Sequence, residues 1–435
     1  MSKTKEIERK IKDFRALGLP AYQRRSGKVH LVENMVSTVI GARRSGKSFR
    51  VRQVADEMLK QGLLPSIDHI CPIDFDNPIL SSISAGELNC IQETFLKITP
   101  GLDLQSPILF ILDEIHKIAN WEEYVIDLSR NQNWKVIVTG SSSKLLKDNI
   151  STALRGKAIS STIYPLDFAE FLRFSNPEHT AGSTAGNAER KRLFDQFLQW
   201  GGFPALVSLP DETKEAVLRE YLDTMMLKDL IQRYNITNPN LCTAFCRYML
   251  SNISKSHTQI SMIKYLTQAD FKVSKETLRD YLNWSEDSWM LFSVPIFSDS
   301  CKKQDRNYKK IYAIDWALAN YNSLIWDGFL SRAFENLIYL HMRKRWSKVQ
   351  YYLTRDRAEV DFIASNQGKP EMAVQASLNI SDPDTYAREI DPLVKTAAYF
   401  GITNNYLVTL TKEETIKQNG VTVHVVPAYK WLAEE

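Results

Sequence analysis

The stretch Gly41-Ala42-Arg43-Arg44-Ser45-Gly46-Lys47-Ser48 decides the first half of the chain. It has the spacing G-x-x-x-x-G-K-[ST] of a phosphate-binding P-loop. Before it lies an apolar, β-branched run, Met35-Val36-Ser37-Thr38-Val39-Ile40, which predicts a strand. After it, Ser48 to Gln61 is amphipathic and predicts a helix. The order is therefore strand, glycine loop, helix. Glycines let the backbone turn tightly, so that its N–H groups point inward at phosphate oxygens. The positive end of the helix dipole adds to that field. All eight residues become candidate contacts to a nucleotide's phosphates. Lys47 would reach the β- and γ-phosphates, and Ser48 would hold Mg²⁺.

Downstream, Ile108-Leu109-Phe110-Ile111-Leu112 is an uninterrupted apolar run that ends in Asp113-Glu114. Such a run suits a strand covered on both faces. An acidic pair delivered at its end has the form of a Walker B element. Asp113 would hold Mg²⁺ through water and Glu114 would polarise the attacking water. The spacing predicts that this strand and the P-loop strand are near neighbours. A third run, Lys135 to Gly140, leads into Ser141-Ser142-Ser143. Thr139 and Ser141 there become candidates for sensing the γ-phosphate, as at a sensor-1 position. Arg155, in Leu154-Arg155-Gly156-Lys157, reads either as a finger for a neighbouring subunit's nucleotide or as half of an intramolecular salt bridge.

Further strands are expected at Ile67–Phe75 and Ala158–Tyr164. Strands alternating with helical stretches predict a parallel α/β sheet. Residues 175–190 are rich in Ser, Gly, Ala and Asn and read as a linker. Residues 191–290 have helical periodicity, and strands return near 349–353, 358–364, 371–376 and 404–410.

At 435 residues the chain is long enough for two to four domains at roughly 100–200 residues each. Hydrophobic residues make up 44% and charged residues 24%, as in a globular protein. The net charge of +4 is too small to imply a nucleic-acid partner by itself. Two basic clusters, Lys302/Lys303/Arg306/Lys309/Lys310 and Arg343/Lys344/Arg345/Lys348, read either as phosphate-binding patches or as solvated faces. Five cysteines in a chain of this size argue against a disulfide framework. Cys242 and Cys246 read as helix packing residues. The charged N-terminus and the lack of a long apolar run predict no membrane span and a cytoplasmic location.

The order GARRSGKS, IDFDNP, LFILDEIHKIANWEEYV, VIVTGSSSKLL, LRGK, YPLDFAEFL, WGGFPALV and YLDTMMLKDLIQRY resembles the AAA+-type ATPases of bacteria and archaea, the group called archaeal-type ATPases. The likeness runs along nearly the whole chain. It implies an ATPase domain over 1–175 and a helical, winged-helix-like region over 190–298. In that region Ile260–Gln268 and Ser274–Asp287 would be the helices, and Leu291–Ile296 a wing strand. Over 299–435, KIYAIDWALAN and FLSRAFENLIYLHM resemble the start of a restriction-endonuclease-like α/β domain. Glu335, Asp361 and Gln375 would match its metal-binding constellation. Ser377 stands where such nucleases carry lysine, so the resemblance implies a degenerate nuclease fold used for binding.

ATP and Mg²⁺ are the implied cofactors, and the lack of a guanine-specifying N-K-x-D sequence favours adenine. The expected function is ATP hydrolysis coupled to DNA binding or remodelling. Two alternatives stand beside it: a nucleotide-gated nuclease, and an ATP-loaded switch that recruits another protein. An Arg155 finger would require self-assembly.

Overall fold

The computed structural model describes residues 2–141, 154, 156–175, 184–298, 300, 304, 309–321 and 328–434. The chain divides into two compact units, Met1–Tyr164 and Pro165–Glu435.

In the first unit, helix α1 (Lys3–Leu17) precedes an alternation of strands and helices. These are β1 (Val36–Ile40), α2 (Lys47–Lys60), β2 (Ile70–Asp74), α3 (Asn89–Lys97), β3 (Ile108–Asp113), α4 (Glu122–Ser129), β4 (Trp134–Gly140) and β5 (Ala158–Thr162). All pairings in the sheet are parallel, in the order β2-β3-β4-β1-β5. The continuous apolar runs follow from burial on both faces. Along β3, Ile108, Phe110 and Leu112 join one core with Ile7, Ile11 and Phe95, while Leu109 and Ile111 join the other with Val51, Val54 and Ile137. The P-loop strand β1 and the Walker B strand β3 are near neighbours, as the spacing predicts, with one strand, β4, between them.

The second unit begins with α5 (Phe168–Ser175) and α6 (Thr184–Trp200). Thus the helix at 168–175 falls outside the unit that holds the P-loop, and 184–190 is helix where a linker was expected. Those seven residues form the N-terminal turns of a helix whose C-terminal half buries Leu193, Phe194, Phe197 and Leu198. Next come α7 (Asp211–Thr224), a π-helical continuation (Met225–Gln232) and α8 (Pro239–Ser251). Strand β6 (Ser256–His257), α9 (Gln259–Gln268), α10 (Lys275–Asp287), β7 (Leu291–Val294) and β8 (Lys309–Ala313) follow. Helix α9 starts on a Thr258 cap and α10 on a Ser274 cap, each bonding a backbone N–H three residues on.

Strand β8 pairs antiparallel with both β6 and β7 and is the middle strand of a three-stranded sheet. The expected boundary at 298/299 therefore cuts through one sheet. After α11 (Trp316–Asn320) and α12 (Phe329–Arg345) come β9 (Lys348–Leu353), β10 (Glu359–Asn366), β11 (Lys369–Ala376), α13 (Pro383–Phe400), β12 (Asn404–Thr409), β13 (Glu414–Gln418), β14 (Val421–Pro427) and α14 (Ala428–Trp431). The six strands form a mixed sheet, β13-β14-β12-β11-β10-β9. Ile390, Leu393, Val394 and Ala397 of α13 share a core with Val360, Ala373, Leu407, Val423 and Val425 of the sheet.

Two sequence motifs lie 113 positions apart yet are joined here. The buried carboxylate of Asp315 accepts the Gly202 N–H at 2.7 Å and the Ala317 N–H at 2.9 Å. Beside it, the Trp316 indole N–H donates to the Leu198 carbonyl at 2.8 Å. Burial pushes Asp315 from an ordinary 3.8 up to about 7, against the pull of the two N–H donors. The folded state thus holds this proton more tightly than the unfolded chain does. Its contribution to stability is full below the unfolded value and is lost as pH rises through about 7. We expect Asp315→Asn to remove that slope. Between about pH 5 and about pH 8 the wild type should lose on the order of 2 kcal/mol relative to the variant, read from urea midpoints. Parallel pH profiles would reject the assignment.

Candidate functional site

The P-loop is held from three sides. Gly41 has φ +147°, and a Cβ there would lie 2.0 Å from the Ile163 carbonyl oxygen, so only glycine lets β1 end this close to the end of β5. Gly46 sits at φ 93° as the N-cap of α2, whose N-terminus has no side-chain cap. Ala42 and Ser45 are buried, Arg44 is exposed in a left-handed conformation at φ 67°, and Arg43 and Ser48 are half-buried. The Ser45 hydroxyl is buried with no hydrogen-bond partner among the described residues. The buried Lys47 ammonium donates to the carbonyls of Gly41 at 3.1 Å and Ala42 at 3.0 Å.

Sequence reasoning missed a brace behind this loop. Arg25, 6% exposed, donates to the Ser45 carbonyl at 2.8 Å and to the Tyr164 carbonyl at 2.8 Å, while its own N–H bonds Gln53. The segment around it, Tyr22 to Leu31, reads simply as basic, and one arginine beside Arg24 and Lys28 carries no mark of burial.

Because β1, β3 and β4 are parallel, their C-terminal ends share one edge of the sheet. Glu114, just past β3, lies in the left-handed region at φ 55°, a costly conformation for a non-glycine residue. Its carboxylate stands 3.9 Å from Lys47 Nζ and 3.3 Å from His116 Nδ1. The Thr139 hydroxyl, at the end of the intervening strand, donates to Asp113 Oδ1 and accepts the Glu114 N–H at 3.0 Å. One threonine thus sets the position of both acids. Ser141 is buried one residue beyond β4. Burial pushes the Glu114 carboxyl above the ordinary range, with Lys47 pulling against it and Asp113 and Asp76 adding to it.

Two more acids belong to this edge and were not singled out from the sequence. Asp74, the register partner of Asp113, is pushed up mainly by burial and accepts the Asp76 N–H at 2.8 Å. Burial is the largest influence on Asp76 and raises it, but the bond and charge of Lys117 together with the charges of Arg43 and His116 hold it below the usual range. Arg155 lies outside the described residues.

The uncapped helix start and the orphaned Ser45 hydroxyl suit an anion. Ser48 and Asp113 supply the hard oxygen donors that Mg²⁺ takes.

In the second unit Glu335, Asp361 and Gln375 lie in one buried polar cluster. The Asp361 N–H donates to Gln375 Oε1 at 3.0 Å, and Gln375 Nε2 donates to Glu389 at 2.6 Å. Ser377 turns away to the Asn379 carbonyl at 3.1 Å. A lysine is nonetheless present, delivered by β8. The Lys310 ammonium meets Glu335 at 2.8 Å, Glu359 at 2.6 Å and Asp361 at 3.0 Å. Burial works against its charge, and the surrounding acids hold it protonated well above the ordinary lysine value. Lys310, only 2% exposed, is thus part of neither a phosphate-binding patch nor a solvated face, while Lys302, Lys303 and Arg306 lie outside the described residues. Three of the four residues of the second cluster also make contacts within the unit, and Lys348 is exposed. Arg343 lies over the Phe292 ring at 4.3 Å, Lys344 donates to the Pro165 carbonyl at 2.9 Å, and Arg345 to the Glu434 carbonyl at 2.9 Å.

A family model described as an AAA domain matches residues 33–172, and one for a domain of unknown function (DUF8612) matches residues 191–326. With its parallel sheet and glycine loop, the first unit is an AAA-type P-loop NTPase domain. The chain is 30% identical over 413 residues to the uncharacterized protein MJ1544 of Methanocaldococcus jannaschii, covering 93% of this chain and 89% of that one. It belongs to that protein's family. An uncharacterized protein of Haemophilus influenzae is 23% identical over 92% of this chain and 95% of its own. Among solved structures, the Walker-type ATPase PABY2304 of Pyrococcus abyssi matches at 16% identity and TM-score 0.44, covering 73% of this chain and 94% of that one. The Aeropyrum pernix ORC1 protein in complex with DNA matches at 12% identity and TM-score 0.29, covering 76% and 93%.

Thr139→Val keeps the shape but removes both bonds to the acidic pair. Turnover of MgATP should fall about 10²-fold, with nucleotide affinity within a few-fold of wild type. Phosphate release and fluorescent-nucleotide titration would measure the two, and unchanged turnover would remove Thr139 from the site.

Proposed function

We propose that the first unit binds MgATP and hydrolyses it to ADP and phosphate. The observation that carries this reading is the 3.9 Å approach of the Glu114 carboxylate to the P-loop Lys47 ammonium, at the start of an uncapped helix. The loop N–H groups and the α2 N-terminus bind the phosphates, and Lys47 neutralises charge at the β- and γ-positions. Ser48 and Asp113 would hold Mg²⁺, which supplies further charge neutralisation at the phosphates. Glu114 orients the attacking water and takes its proton, and its partial burial makes it a better base. Thr139 keeps that carboxylate at the strand tip. Lys47→Ala should abolish measurable ATP binding. Glu114→Gln should retain binding and lose turnover by about 10²-fold or more, read as phosphate release. A Glu114→Gln protein that turns over like wild type would remove Glu114 from the reaction.

We further propose that nucleotide state is coupled to DNA binding through the second unit. Helices α8, α9 and α10 with the sheet β6-β8-β7 form a winged-helix-like module in this reading. What supports it is a group of exposed cations on one helix pair, set among the acids Asp270, Glu276 and Asp280. Lys264, Lys272, Lys275 and Arg279 are all exposed on or between α9 and α10, while Leu278 and Tyr281 anchor α10 in the core. Trp284 stacks on Tyr234 at 4.8 Å and serves packing rather than base contact. The Lys275→Glu/Arg279→Glu double variant should bind duplex DNA at least tenfold more weakly, by fluorescence anisotropy. Its log–log salt slope should be shallower by about two phosphate contacts. Wild-type affinity in that variant would exclude α10 as the contact surface.

A further inference from the structure

The carboxylate cluster of the second unit has a feature that degeneracy alone does not explain. A nuclease site that has lost its lysine keeps acids that repel one another or a cavity that water fills. Here Lys310 arrives from a different strand and meets Glu335, Glu359 and Asp361 at 2.6 to 3.0 Å. The ammonium donates to Glu335 and Asp361 and pairs its charge with Glu359 as well. Two of those acids, Glu335 and Asp361, are the ones a divalent cation would need. Each takes a further hydrogen bond. Glu335 Oε1 also accepts the Tyr312 hydroxyl at 2.8 Å, and Asp361 Oδ2 accepts the Ala376 N–H at 3.0 Å.

We propose that Lys310 is a built-in counter-ion occupying the cation position of the Glu335–Asp361 cluster, so that the native protein takes no divalent metal there. Lys310 sits mid-strand, paired across β8 with Ser256 on one side and Val294 on the other, so its backbone is fixed. A metal ion would have to expel a buried ammonium from three ion pairs and leave it in the core, which is prohibitive. Without the lysine, three acids converge on one point, and a hard cation is the natural replacement. The inference does not depend on the first unit hydrolysing ATP.

The test is Mn²⁺ binding to the full-length chain in the absence of nucleotide, followed by loss of the free-ion electron paramagnetic resonance signal. Asp361→Ala isolates this site from Mn²⁺ taken up elsewhere. Wild type and Asp361→Ala should give the same isotherm. Lys310→Ala should gain one equivalent, with a Kd of about 1 mM or tighter, and lose it again in the Lys310→Ala/Asp361→Ala double variant. Thermal unfolding gives a second readout, in which millimolar Mn²⁺ raises the midpoint of Lys310→Ala and not that of wild type. Lys310→Met, which keeps the side-chain volume, serves if the alanine variant fails to fold. Asp361-dependent Mn²⁺ binding or nucleic-acid cleavage by the wild type would overturn the proposal, and so would a folded Lys310 variant that takes up no Mn²⁺.

Discussion

The first unit depends on three parallel strands ending together. Parallel pairing sends β1, β4 and β3 to one edge, and the chain can then place a loop, a hydroxyl and two acids within reach of one another. The Thr139 hydroxyl is the joint. It stands on the middle strand, bonds the Asp113 carboxylate and anchors the Glu114 N–H. The left-handed backbone of Glu114 is tolerable because of such anchoring, and it turns the carboxylate towards Lys47.

The second unit relies on buried charge instead. Asp315 ties Gly202 to the start of α11, and Lys310 ties β8 to α12 and β10. Removing one partner from either joint would strand a buried polar group, a larger cost than the net gain from forming it. Such joints specify which strands and helices meet more sharply than apolar contacts do, because apolar contacts have no directional requirement.

How much was legible follows from where each signal resides. Gly41 to Ser48 declares itself by local spacing, and Asp113-Glu114 by its position after an apolar run. The positions of β9 to β12 came through from their apolar runs, while β13 was passed over because Glu414–Gln418 is polar along most of its length. Sheet order is a tertiary property, so the place of β4 between β1 and β3 could not be read from chain order. Glu335, Asp361 and Gln375 do converge, but the lysine came from a position 67 residues before Ser377. A faint signal existed. Lys310 and Tyr312 alternate with Ile311 and Ala313 in a strand buried along most of its length, which is unusual for a solvated basic run. Arg25 had no comparable mark.

Strand β8 also governs the order in which the second unit can take shape. It lies between β6 and β7, yet both neighbours precede it in the chain. On the ribosome, β6, α9, α10 and β7 emerge first with the centre of their sheet missing. They gain it only after some fifteen further residues have left the tunnel, and Lys310 finds its last acid only when β10 follows. The unit's closure is thus tied to translation of its final third, and a nascent chain stalled before residue 309 exposes two unpaired strand edges to whatever chaperone or neighbour reaches them first.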